Sequence, residues 1–397
     1  MNVSIYALHL GYGGVENYAI TLANTLSSFC RVEIVSTYKV LPHPAFPIND
    51  NVKIKYLINS CPHKKEFFAL IKKGKLLTAA LCAVEHILLF FEKYIKNVIS
   101  VKDCSSEVIV STRIFHNRII GKYAGKDIYK ITGEHNHHQN NKRYIRRVIS
   151  SCRNFDAFIP ISKELCDFYE GPLKRLGIST IHIPFCVERQ DLTDTKAKFS
   201  IIYAGRLSKE KGVFDMIDVF ELVHQKNNEA VLHVIGDGDE KERLIKYIKN
   251  KKLQNCIILH GYKDKSYILD MMKKCSVYIM TSFTESFGIS LLEAMSCGLP
   301  CVAFSDAKGA LEIIENGSNG YVIDNRNKSV MAKKICELTK SPHIYEKLSN
   351  NAIFTAGRYS PELMADGWKN VIDTASSQKK PCASKSFKEL KKEAVTD

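Results

Sequence analysis

Residues 200–224, SIIYAGRLSKEKGVFDMIDVFELVH, leave a β-rich run at Ser200 to Tyr203, turn between Gly205 and Gly212, and enter a helical pattern at Val213. Strand, glycine turn and helix in succession form the unit of a doubly wound parallel sheet. The same unit stands near the start of the chain, in VSIYALHLGYGGVENYAITLANTL at 3–26. There a strand meets Gly11, Gly13 and Gly14, and Val15, Tyr18, Ala19, Leu22 and Leu26 follow at helical spacing.

Each unit opens a series. Strand-like runs at 32–36, 52–57, 107–111, 128–132, 157–161 and 180–183 follow the first, and runs at 230–235, 257–260, 277–280, 301–304 and 321–323 follow the second. Helical patterns in the second series fall at 213–224, 240–251, 266–273, 288–296, 308–315 and 329–338. At 397 residues the chain exceeds the roughly 250 to 300 at which single cores stop growing, so two domains are expected. The predicted fold is α/β, with two Rossmann-like doubly wound domains. The expected divisions are a first domain at 1–187, a polar linker at 188–198 and a second domain at 199–357. A helix at 358–375 then carries the only tryptophan, Trp368, and is expected to cross back to the first domain. The lysine-rich tail at 376–397 reads as disordered.

A 45% apolar and 25% charged composition excludes global disorder. Thirteen cysteines stand at irregular positions within apolar runs, odd in number and with no CxxC pair. They read as reduced core residues, which implies a cytoplasmic protein. The N-terminus has no basic residue before Arg31, so no signal peptide is read there. The net charge of +15 is concentrated toward the first half and suits nucleic acid, anionic lipid or phosphorylated substrates. No aromatic-basic motif or helix-turn-helix pattern supports nucleic acid, which is not an expected partner.

Residues 76–91 are strongly apolar between Lys64, Lys65, Lys72, Lys73 and Lys75 on one side and Lys93 and Lys96 on the other. With Glu85 and His86 inside, the run is shorter than the roughly 20 apolar residues of a membrane span. Two expectations follow: a long helix packed on the first sheet, and an interfacial helix bringing 64–100 to an anionic membrane surface.

Two stretches carry chemistry. GRLSKEKG at 205–212 leaves a strand and enters a helix, where free N–H groups with Arg206 and Lys211 suit a diphosphate; a solvated basic loop is the plainer alternative. TSFTESFGISLLEAMSCGLP at 281–300 sets Glu285 in a loop and Glu293 about two turns into a helix that Gly298 and Pro300 end. Carboxylates suit sugar and ribose hydroxyls, and Gly288 allows a ligand close to the amides of Phe287, Gly288 and Ile289; taken singly, each glutamate also reads as an ordinary helix charge.

These motifs, with IGDGDE at 235–240 and ENGSNGYVI at 315–323, resemble the retaining glycosyltransferase family numbered four, of the GT-B fold, across most of 200–325. The resemblance implies two Rossmann-like domains facing across a cleft and sugar transfer from a UDP- or GDP-sugar with retention at the anomeric carbon. It implies Arg206 and Lys211 on the donor diphosphate, Glu285 on the sugar hydroxyls, Phe287, Gly288 and Ile289 as backbone donors, and Glu293 on the ribose. In the first half, Gly13-Gly14-Val15-Glu16 resembles the family's glycine turn, with Gly14 beside the donor, and Glu134-His135 its active-site histidine. The run His135-Asn136-His137-His138 leaves His137 as an alternative.

No metal or other cofactor is expected. Asp237-Gly238-Asp239 reads as turn and cap residues, and Arg206 and Lys211 supply the charge a metal would. His137 and His138 are adjacent, with no carboxylate pattern after them. The basic first half and the 76–91 run point to a glycan or undecaprenyl-linked oligosaccharide acceptor in capsule, O-antigen or lipopolysaccharide assembly, with the protein peripheral at the inner face of the membrane. A nucleotide-sugar 2-epimerase is the related alternative, distinguished by conversion of UDP-N-acetylglucosamine without an acceptor.

Overall fold

The computed structural model describes residues 1–60, 75–192 and 199–377. The first sheet contains β1 (Asn2–His9), β2 (Arg31–Tyr38), β3 (Lys53–Ile58), β4 (Val108–Ser111), β5 (Tyr129–Thr132), β6 (Ala157–Phe158) and β7 (Ser179–Thr180). The second contains β8 (Ser200–Ala204), β9 (Val231–Ile235), β10 (Ile257–Gly261), β11 (Val277–Met280), β12 (Cys301–Phe304) and β13 (Gly320–Ile323). Their orders are β3-β2-β1-β4-β5-β6-β7 and β10-β9-β8-β11-β12-β13. The strand pairs are parallel throughout. Each sheet reverses direction once, between β1 and β4 and between β8 and β11, and at such switch points open α/β sheets bind ligands beyond the carboxyl ends of their strands.

The helices of the first half are α1 (Gly14–Leu26), α2 (Leu76–Lys102), α3 (Ile114–Tyr123), α4 (Lys142–Ser151) and α5 (Lys163–Lys174). The second half has α6 (Val213–His224), α7 (Lys241–Asn250), α8 (Lys265–Lys274), α9 (Ile289–Ser296), α10 (Lys308–Ile313), α11 (Lys328–Lys340) and α12 (Pro342–Gly357), and α13 (Pro361–Ser377) closes the described chain. Side chains begin several of them: Asn141, Ser162, Asp264 and Asn327 accept the N–H three residues on, each satisfying a free donor of the first turn. Strands β4, β5, β8, β11 and β12 are buried at every position, as parallel strands covered on both faces must be.

All thirteen expected strands are present, the last two of the first sheet as pairs of residues only. The N-terminal half of the 188–198 break is irregular, while 193–198 lie outside the described residues. Helix α13 packs on α1, with Trp368 1% exposed, and runs to Ser377; the rest of the expected tail, 378–397, is likewise outside. No cysteine among the described residues is in a disulfide. Burial pushes the thiols of Cys166, Cys186 and Cys275 up to about 11, which makes them poor nucleophiles near neutral pH.

The expectation that 76–91 packs on the first sheet is met only by the helix's later turns. Helix α2 continues to Lys102, and there Asn97, Ser100 and Val101 are buried, Thr37 donating to Asn97 and the Tyr6 hydroxyl to the Ser100 carbonyl. The apolar turns before them stand largely in solvent, with Leu81 63% and Phe90 65% exposed. Of the flanking lysines, Lys64, Lys65, Lys72 and Lys73 lie outside the described residues.

Candidate functional site

Three loops of the second domain form one wall. After β8, Gly205 to Ser208 leads into a short 3-10 turn, Lys209–Lys211, and Gly212 takes the left-handed conformation at φ 62° before α6. A Cβ on Gly212 would lie 2.0 Å from the carbonyl oxygen of Thr281, so only glycine lets the β8 and β11 loops touch. After β9, a Cβ on Gly236 or Gly238 would collide with the carbonyl of Gly205 or Leu207. Asp237 accepts from the amide of Gly238 and from Lys241 Nζ, the part of a turn residue.

The β11 loop delivers Glu285 to this wall. Its carboxylate takes a hydrogen bond from Lys211 Nζ at 2.5 Å, so the β8 and β11 loops are joined by a charge pair. Gly309 of α10 donates to the Glu285 carbonyl, and a Cβ there would strike the amide of Phe287. The Phe287 ring turns away into the core, edge-on to Tyr359, leaving its backbone toward the cleft. Gly288, at φ 102°, then starts α9. Glu293, on the second turn, is 8% exposed; burial pushes its carboxyl above the usual range, and Lys265 Nζ, 3.5 Å away, pulls it back.

The opposite wall is the carboxyl end of the first sheet. A Cβ on Gly13 would meet the Glu16 carboxylate at 2.2 Å, while Gly14 opens α1 with open space beside it. Glu16 is buried and holds Arg113, from the end of β4, at 2.5 Å and His9 at 3.7 Å. His135 follows β5. Its backbone N–H and that of Asn136 bind the Glu134 carboxylate, which Tyr144 also reaches, and its ring lies 4.4 Å from that of Tyr18. Burial first, and the nearby Arg113 second, hold the His135 imidazole down to about 3, so it is neutral at physiological pH. Its Nδ1 has no protein partner.

The walls enclose a cavity of about 1080 Å³. Gly14, His135, Arg206, Lys211, Glu285, Phe287, Gly288, Ile289 and Glu293 all line it. His137 reaches it too, but its Nε2 is engaged by Glu164 at 3.1 Å and its Nδ1 accepts the Gln139 amide, whereas His135 keeps its ring for the cleft. Tyr12 and Tyr262, one from each domain, meet with ring centroids 3.7 Å apart.

Sequence reasoning missed four contributors to this site. Arg113 and Tyr262 line the cavity without belonging to any motif, and Lys265 pairs with Glu293 from a different helix. Arg326 braces the β11 loop by donating to the carbonyls of Thr281 and Ser282, pairing with Asp215 and stacking on Phe283. A signal for Arg326 lay only in the turn-forming run Asp324-Asn325 before it, where Asn325 and Arg326 adopt φ near 50°.

Among the described residues one group has metal-ligand spacing, His137, His138 and Glu164. In both histidines Nδ1 accepts a backbone N–H, from Gln139 and Asn140. That leaves Nε2 of each ring for the group: His137 Nε2 meets Glu164 at 3.1 Å, while His138 Nε2 is buried without a hydrogen-bond partner.

Comparison with known proteins places this geometry. Residues 187–354 match the family model described as glycosyl transferases group 1. The poly(glycerol-phosphate) alpha-glucosyltransferase of Bacillus subtilis (strain 168) is 29% identical over 281 residues, 70% of this chain and 39% of that protein. An uncharacterized glycosyltransferase of Haemophilus influenzae is 22% identical over 383 residues, 93% of this chain and 99% of the other. The chain thus spans well under half of the first relative and nearly all of the second. Among solved structures, S. aureus TarM in complex with fondaparinux, alpha-GlcNAc-glycerol and UDP superposes with a TM-score of 0.75 at 15% identity, covering 94% of this chain and 100% of that one. At that identity the likeness shows the fold, GT-B.

Proposed function

We propose that this chain, a glycosyltransferase whose residues 187–354 belong to glycosyl transferases group 1, moves a sugar from a nucleotide diphospho-sugar to a glycan acceptor with retention at the anomeric carbon. The observation that carries the reading is the convergence of nine residues from two domains on one cavity between the switch points of both sheets. Arg206 and Lys211 hold the donor diphosphate. Lys211 gives one of its three N–H bonds to Glu285 and has two left for phosphate oxygens. Glu285 accepts from the sugar hydroxyls, the amides of Phe287, Gly288 and Ile289 donate to the donor, and Glu293 accepts from the ribose.

His135, neutral and buried against Tyr18, sits beside the reacting carbon as a hydrogen-bonding group rather than a cation. Charge on the leaving diphosphate is met by Arg206, Lys211 and the start of α6, so transfer proceeds without a metal. Apposition of the two domains keeps water from the donor. Full turnover in EDTA is expected, and a loss restored by magnesium would overturn metal independence.

UDP is the favoured nucleotide, since the TarM structure with the same fold contains it. The acceptor is proposed to be a lipid-linked glycan of cell-surface polysaccharide assembly, met at the cytoplasmic membrane face. Likeness to the Bacillus subtilis enzyme, named for a poly(glycerol-phosphate) acceptor, supports a surface polymer. A thermal-unfolding screen over nucleotide diphosphates and their sugars tests the donor: a ligand at 100 times its Kd adds about 2.7 kcal/mol of stability. Failure of every nucleotide diphosphate to raise the melting temperature would remove the proposal.

A further inference from the structure

Helix α2 reverses the usual arrangement of a surface helix, which turns its apolar face inward. Leu81, Val84, Leu88, Phe91, Ile95 and Ile99 recur at three- and four-residue spacing, which places them on one stripe, half a turn from the buried Asn97. Each is between 52% and 63% exposed. Ile87 and Phe90, off the stripe, are exposed as well, at 56% and 65%, so the earlier turns project from the protein; a contiguous apolar surface of this length is one that something covers. Among the described residues no helix is long and apolar enough to cross a membrane, so α2 has the character of a helix that lies on one.

The neighbouring helices say what the occupant is. Helix α3 packs on α2 and α4 on α3, the Tyr94 and Tyr123 hydroxyls meeting at 3.0 Å where the first two touch. This layer exposes Arg118 and Lys122 on α3, and Arg143, Arg146 and Arg147 on α4. The positive charge beside the stripe is therefore carried by α3 and α4, brought there by the order of the sheet rather than by nearness in sequence. A second copy docked about a two-fold axis along α2 would set these cations against their own counterparts, which costs free energy. A surface that is apolar where α2 meets it and negative where α3 and α4 meet it has no such conflict.

We infer that α2, α3 and α4 form one docking face for an anionic phospholipid bilayer, with the α2 stripe set among the acyl chains and the α3 and α4 cations on the headgroups. The inference rests on the proposed transfer to a lipid-linked acceptor for its purpose, since the face would hold the first domain where such an acceptor resides. Its test needs neither donor nor acceptor, so the two stand or fall separately.

The full chain is sedimented with vesicles of phosphatidylcholine alone and with vesicles containing phosphatidylglycerol, at low and at physiological salt. Binding at least tenfold stronger to the anionic vesicles, weakened by salt, is expected. Leu88→Asp with Phe91→Asp, and separately Arg143→Glu with Arg146→Glu, should each reduce that binding at least tenfold. Unchanged melting temperatures for both pairs would establish that each variant is folded. Equal binding to neutral vesicles, or no effect of the α4 pair, would overturn the shared face. A concentration-dependent dimer in sedimentation velocity, abolished by the α2 pair in a protein that binds no vesicle, would assign the stripe to a second copy.

Discussion

Lys211 Nζ and Glu285 Oε2 lie 2.5 Å apart, joining the loop after β8 to the loop after β11 at the carboxyl edge of the second sheet. One ammonium is thereby shared between the carboxylate assigned to the sugar and the phosphates assigned to the leaving group. Lys211→Met removes both interactions. It should weaken UDP binding by about tenfold and lower turnover further, since hydrogen bonds between charged groups contribute about 1.5 to 3 kcal/mol. Calorimetric titration of UDP with steady-state rates checks this, and wild-type values for both quantities would remove Lys211 from the site.

Arg326 acts on Glu285 through the loop it braces. With its side chain 17% exposed, its removal takes the donors from the carbonyls of Thr281 and Ser282, while Asp215 keeps its pair with Lys328. Arg326→Ala should destabilise the second domain by about 1.5 to 3 kcal/mol. Denaturant unfolding followed with and without UDP measures the loss, and a change below about 0.5 kcal/mol, the range of an ordinary surface substitution, would show that Arg326 braces nothing.

The contact of Gly309 with the other end of that loop is steric. A Cβ at this position would lie 2.2 Å from the Phe287 nitrogen, and the atom it meets is backbone that cannot swing aside. Gly309→Ala should cost about 1 to 3 kcal/mol as an overpacking change and should raise the KM for the donor. A variant with unaltered KM would mean that the 285–288 backbone does not touch the donor.

Acid sensitivity follows from two buried imidazoles. His116, bonded to Thr37 at 2.9 Å, and His135 are each held down to about 3, in both cases chiefly by burial. Below the unfolded value of about 6.5 the unfolded chain takes up protons that these folded rings refuse. Their contribution to stability is thus complete above pH 6.5 and is lost as pH falls toward 3, at up to about 1.4 kcal/mol per pH unit for each ring. Melting temperatures measured from pH 7.5 to 4.5 should hold down to about pH 6.5 and fall steadily below it. The fall should be shallower in His116→Gln once its lower starting stability is taken into account, and a slope equal to that of the wild type would exclude His116 as a source.

Much of this architecture was legible because it is local. Strands such as Val277–Met280 and Cys301–Phe304 are runs of apolar residues between glycine or polar turns, and α6 begins and ends at the residues its pattern marks. Helix α12 was not read: its buried positions, Leu348, Ala352 and Ala356, are small or widely spaced among polar residues, so its periodicity is weak. The motif residues of the site could be picked out because each lies next to its own glycine turn. Arg113 and Arg326 could not, since their partners Glu16 and Asp215 stand 97 and 111 residues away and only the strand order brings them together. The same limit applied to α2, whose length of apolar sequence was plain but whose outward direction depended on which turns Thr37 and Tyr6 hold.

The most direct test of sugar transfer in this cleft is the rate of Glu285→Gln measured beside its affinity for UDP. Glutamine keeps the shape and removes the charge that Lys211 and the sugar hydroxyls share. The expected result is turnover lower by about 10² to 10³, the range for losing one preorganised group at a reacting centre, with UDP affinity changed by no more than about tenfold. Turnover within about twofold of wild type, where ordinary surface substitutions fall, would contradict the account at its centre.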